Sequence, residues 1–135
     1  MNEKIKPLQI IHLGICAGTI LVYCIITYFS GGFPVLSTIS PDSIIYILIP
    51  VVSVFLSHFM YKTLLKKIEP EMTEEEQFSS YQSANIIRWG ILEAGALAIL
   101  FLRPDIIIFG LILILFMIIA RPTAEKMSID IQRFS

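Results

Sequence analysis

With 135 residues, 56% of them hydrophobic and 16% charged, and a mean hydropathy of +0.78, the chain is too apolar for a water-soluble domain, where charged residues usually come to about 25%. Ten basic and eleven acidic residues leave a net charge of −1, so there is no basic field to hold a nucleic acid and no acidic one to gather cations. The bilayer is the solvent in which the remaining sequence has to make sense.

Four apolar runs stand out, Leu8–Phe29, Ile44–Tyr61, Ala84–Leu102 and Ile106–Ala120, against a need of about 20 residues per crossing. Lys4 and Lys6 precede the first run as they would in a secretory signal. However, no small-x-small site follows, and Ile15 stands before Cys16 where a lipoprotein signal carries a small residue, so the run is expected to stay as an anchor. Ser30-Gly31-Gly32-Phe33-Pro34 ends it. Ser40-Pro41-Asp42 then offers a capping hydroxyl, a proline for the first helical position and an acid for the positive dipole end, predicting that the second helix starts there.

Pro70 separates the second helix from the third, and Thr73-Glu74-Glu75-Glu76 has the pattern of a capping box. The third helix is therefore expected to begin in water and to run past Phe78 and Tyr81 into the apolar phase. Arg103-Pro104-Asp105 closes it, because such a triplet has no place at a bilayer centre. The last run is short, but local thinning and snorkelling flanks can accommodate it, and Pro122 ends it.

Lys4, Lys6, Lys62, Lys66, Lys67, Arg121, Lys126 and Arg133 fall on one side of this arrangement, Arg103 alone on the other, and Arg88 within a run. By the positive-inside rule the termini and the connection 62–82 are cytoplasmic. The expected fold is an all-α integral membrane protein, one polytopic domain over 1–135, with four transmembrane helices as two hairpins in the cytoplasmic (inner) membrane. A short repeat supports parallel halves: Ile10-Ile11-His12-Leu13-Gly14-Ile15 matches Ile86-Ile87-Arg88-Trp89-Gly90-Ile91 at four of six positions.

The chemistry-bearing residues are few. Glu93 stands about 13 Å inside the third run at ~1.5 Å per residue, where an acid costs about 2.5 to 3.5 kcal/mol and must find a partner or remain protonated. It can be a functional carboxylate, or packing glue that hydrogen-bonds a neighbouring helix. Ser53 reaches a comparable depth. Arg88, His12 and His58 lie nearer the cytoplasmic ends and form an expected inner-leaflet polar layer, either a relay or a set of snorkelling side chains. Arg88 and Glu93, five positions apart, point about 140° away from each other on one helix.

Gly14-x-x-x-Gly18 and Gly90-x-x-x-Ala94 are small-residue faces on which another helix can pack closely, within the chain or between copies. His12 and Cys16 share a face, but two ligands without a further cluster do not make a metal site, and no cofactor motif is present. Cys16 and Cys24, roughly 12 Å apart along one helix, are expected to be reduced packing residues.

The stretch Ile87-Arg88-Trp89-Gly90-Ile91-Leu92-Glu93-Ala94-Gly95-Ala96-Leu97-Ala98-Ile99-Leu100 resembles the carboxylate-bearing helix of rotary ATPase proteolipid subunits, in which a lone acid sits mid-helix among small residues. That resemblance implies an ion-carrying role for Glu93 in a ring of copies.

Three functions follow as expectations. The first is a structural or accessory subunit of a membrane complex, whose partners are the lipid bilayer and other membrane proteins or further copies of itself, and which needs only helix faces. Its rival is proton or cation translocation through Glu93, with Arg88, His12, His58 and Ser53 along the path. An enzyme is the least supported, because there is no nucleophile–base pair, ligand cluster or phosphate loop.

Overall fold

A computed structural model describes residues 2–29, 41–102 and 104–134, and every regular element among them is helical. Helix α1 is Asn2–Phe29, α2 is Leu48–Leu65, α3 is Glu74–Leu102, α4 is Ile107–Ile119 and α5 is Ala124–Phe134. Three of these are long and apolar enough to cross a membrane: Glu3–Phe29, Ile44–Leu65 and Glu74–Leu102. A fourth crossing exists only if α4 and α5 count as one span, and these are bent by 97°.

Local chemistry accounts for the helix starts. Thr73 and Glu76 form the expected capping box: the Thr73 amide donates to Glu76 Oε2 at 3.3 Å, and the Glu76 amide donates to Thr73 Oγ1 at 3.2 Å. The second helix begins less simply. Pro41–Ile47 winds as a tighter 3-10 helix before α2 takes over at Leu48. Pro50 gives the reason, since it has no N–H for the carbonyl four residues back; as the third residue of α2 it sits where that N–H needs no intrahelical partner. Ser40, the Ser30–Pro34 breaker and Arg103 lie outside the described residues.

Helix α3 is the axis of the bundle, with α1, α2 and α4 packed around it and Trp89, Ala84, Ala96 and Ile99 buried along it. The start of α1, the α2–α3 turn and the α4–α5 junction all gather at one end: Gln9 bonds Pro122, Lys4 approaches Glu75 at 3.8 Å, and Tyr61 bonds Asp130. This terminal end therefore carries Lys62, Lys66, Lys67, Arg121 and Lys126 together.

The terminal helix α5 is absent from the sequence expectation, which ended helical structure at Pro122. Thr123 caps it, accepting the Lys126 amide on Oγ1 at 3.0 Å. Met127, 3% exposed, and the half-buried Ala124 and Ile131 turn inward from it at helical spacing.

The close helix crossings use glycines other than those expected. A Cβ on Gly95 would overlap Ser53 Oγ and come within 3.0 Å of Leu113, and one on Gly110 would overlap the Tyr23 hydroxyl. By contrast, a Cβ on Gly14, Gly18 or Gly90 would meet nothing within 4 Å among the described residues, and Ala94 is exposed. Gly14, Gly18, Gly90 and Ala94 thus make no close crossing among the described residues of the chain, which leaves contact between copies as the other expected alternative. The i, i+4 spacing identifies a smooth face, whereas the buried stripe of each helix lies on another side.

Candidate functional site

Helix α4 has 13 residues, or about 20 Å of rise at ~1.5 Å per residue, well short of a ~30 Å hydrocarbon core. The last carbonyls of any helix lack intrahelical donors, and here neighbouring elements supply them. His12 Nε2 donates to Met117 O at 2.7 Å, Trp89 Nε1 to Ala120 O at 3.2 Å and Gln9 Nε2 to Pro122 O at 2.8 Å. Lys126 Nζ reaches Ile119 O at 3.1 Å and Arg121 O at 3.0 Å. The His12 ring also packs on Trp89, with centroids 4.8 Å apart, and its Nε2 stands 3.5 Å from Cys16 Sγ. These contacts make His12 a cap for α4, which holds α4's end at the level of Trp89.

Because α4 stops there, the terminal end of the bundle has a gap between α2 and α4, walled by α3 and floored by α5. The gap is a pocket of about 400 Å³, lined by Val54, Ser57 and His58 of α2, Tyr81, Arg88 and Leu92 of α3, the end of α4, and Lys126 and Asp130 of α5. Arg88 dominates it. Its guanidinium lies over the Tyr61 ring, 3.8 Å from the centroid, and Nη2 donates to Asn85 Oδ1 at 2.6 Å. Asn85 is oriented in turn by donating from Nδ2 to Tyr81 O at 2.9 Å. Tyr61 donates its hydroxyl to Asp130 Oδ2 at 2.5 Å and meets Tyr81 edge-on, tying α5 to α2. The Arg88 Nε is buried and has no acceptor among the described residues.

The expected polar layer is therefore divided. Arg88 and His58 share the pocket, while His12 lies beyond Trp89 on another side of α3. Glu93 belongs to neither group: it is half-buried, faces the α1 side within Coulombic reach of Cys16, and no described residue donates a hydrogen bond to it. Ser53, expected near Glu93, instead donates to Ile49 O at 2.7 Å and abuts Gly95, two residues and about 200° further round α3. The five residues proposed for an ion path are thus spread over four separate surroundings.

Sequence reasoning missed Tyr61, Tyr81, Asn85, Lys126 and Asp130. Tyr81 and Asn85, at i and i+4 on the turns below Arg88, were a readable sign that one face of α3 stays polar as it enters the bundle. Tyr61 and Asp130 come from elements distant in the chain, and nothing local marks their pairing.

Comparison with protein-family models, with curated proteins and with solved structures finds no match.

Proposed function

We propose that this chain is a multi-pass protein of the cytoplasmic membrane, with both termini cytoplasmic, acting as a structural or accessory subunit of a membrane complex through helix packing. One observation carries the reading: both small-residue faces, Gly14 with Gly18 and Gly90 with Ala94, are uncovered, while Gly95 and Gly110 make the chain's own close crossings. In a bilayer, helix association depends on close backbone approach, because lipid is as apolar as a leucine surface. A smooth uncovered face is thus a place for a further helix. The convergence of basic residues at the terminal end supports the orientation, and outward-facing Phe55 and Ile108, 72% and 56% exposed, support burial in lipid.

The test is native mass measurement after mild extraction of the parent, Gly18→Leu and Ala94→Leu proteins. The parent is expected in an assembly larger than the 15.3 kDa chain. At least one variant should lose it while its melting shifts by no more than the equivalent of ~0.5 kcal/mol, as for an exposed site. A parent that extracts only as a monomer, or variants that both assemble like it, would overturn the subunit reading.

Translocation has one observation in its favour, the half-buried Glu93 carboxyl without a described hydrogen-bond donor. Glu93→Gln discriminates, since an ion carrier loses flux in proteoliposomes when titration is removed, whereas packing glue tolerates an amide.

A further inference from the structure

We infer that the gap left where α4 stops is a lipid site, holding the phosphate of an anionic phospholipid of the cytoplasmic leaflet on Arg88 and Lys126, with an acyl chain rising between α2 and α4. The inference rests on the membrane embedding proposed above but not on the subunit role.

The chemistry begins with a cation that has no ion pair among the described residues: Asp130 is within Coulombic reach of Arg88 but not in contact with it. No carboxylate lies within ion-pair distance of Arg88 among the described residues, and the acid lining the pocket, Asp130, accepts the Tyr61 hydroxyl. Tyr61 covers one face of the guanidinium and Asn85 takes one N–H, which leaves the buried Nε donor unused. Withdrawing a cation from water without a directly paired counter-charge is costly. An anion with several acceptor oxygens removes that cost, and phosphate matches the fork of guanidinium donors. Lys126 stands across the pocket with two of its three N–H groups on the carbonyls of Ile119, at the end of α4, and of Arg121 just beyond it, so one remains for the same anion.

The walls argue for a lipid and not a free anion. Beyond the polar groups the pocket continues over Val54, Leu92, Phe116 and Ile119, the last two 45% and 61% exposed, between helices that face hydrocarbon. A phosphate alone would leave these surfaces uncovered, whereas a phospholipid places its headgroup on the basic residues and its chain on the apolar ones. Basic pockets between membrane helices on the cytoplasmic side take anionic headgroups by this logic.

The experiment uses the full chain, delipidated in mild detergent, with binding of phosphatidylglycerol, of phosphatidylcholine with the same chains, and of inorganic phosphate read by native mass spectrometry and melting. Phosphatidylglycerol should bind about fivefold or more tightly than phosphatidylcholine, with inorganic phosphate far weaker. Lys126→Gln and His58→Glu, one removing a cation and the other adding an anion at the rim, should each weaken phosphatidylglycerol about fivefold without changing helical content. Equal binding of the two lipids, undiminished binding by both variants, or inorganic phosphate binding as tightly as the lipid would each overturn the assignment. Alkaline extraction of membranes separates the two readings. A chain released into the supernatant refutes the embedding, while a retained chain without preference for phosphatidylglycerol refutes the lipid site alone.

Discussion

The two halves of the bundle solve the same packing problem differently. Away from the terminal end, four helices run side by side, and backbone meets side chain directly: Ser53 against Gly95, Tyr23 against Gly110, with the Tyr23 hydroxyl donating to Ala96 O. At the terminal end α4 stops short, α5 turns across the base, and the space is occupied by Arg88, Tyr61, Asn85 and Asp130. The difference comes from the length of one helix. Where apolar partners suffice to fill the interior, the small hydroxyls stay on local backbone carbonyls, as Thr19 on Ile15 and Thr27 on Tyr23 do; where a helix stops short, a charged side chain can enter.

The sharpest way to break the contrast is to force the close half apart. Gly95→Leu and Gly110→Leu should each destabilise by about 3 kcal/mol, the upper range for overpacking, because the atoms they meet are a short serine side chain on a helix and a buried tyrosine. Reversible unfolding in mixed micelles checks this. Parent-like stability of both would mean that these glycines do not set the helix spacing.

A smaller effect is expected at the boundary between the halves. Trp89→Phe keeps most of the buried ring but removes the donor to Ala120 O, at a cost of about 1 to 3 kcal/mol for a buried carbonyl left unpaired. Labelling of a cysteine placed at Ile119 should accelerate in this variant as the α4 end loosens. Unchanged labelling would assign the hold on α4 to His12 and Lys126.

The smallest effect belongs to the open half. Tyr61→Phe retains the ring under Arg88 and deletes the hydrogen bond to Asp130, one with a charged acceptor worth about 1.5 kcal/mol, partly offset by water reaching the pocket. Trypsin should then cut faster after Lys126, in α5, with little change in the melting of the bundle. Equal cutting rates would show that α5 is held by Met127 and its apolar neighbours.

Much of the helical layout was legible because its determinants are local. The Thr73–Glu76 box is four residues long and forms as read, and the run Ile106–Ala120 became α4 within one residue at each end. Helix α5 was legible too, with Thr123 as its cap and Met127 four residues before Ile131, but its low hydropathy hides it from a search for membrane spans. The internal repeat illustrates the limit. Gly14 and Gly90 both face outward, yet their matched neighbours diverge, His12 onto the end of α4 and Arg88 into a pocket roofed by that same end.

Chain order alone therefore settled where helices start, stop and become apolar, since capping groups, prolines and bilayer-length runs act within a few residues of themselves. The fold settled which faces touch. For helices this apolar on every side, the hydrophobic pattern that separates inside from outside in water carries little information about which faces touch. That Gly95 closes a crossing while Gly90 stands open, and that Ser53 meets Gly95 instead of Glu93, depend on which faces of α2 and α4 pack on α3; the pocket in which Arg88 keeps an unused donor lies where α4 ends, and that end is held by hydrogen bonds from residues as far apart in the chain as Gln9, Trp89 and Lys126.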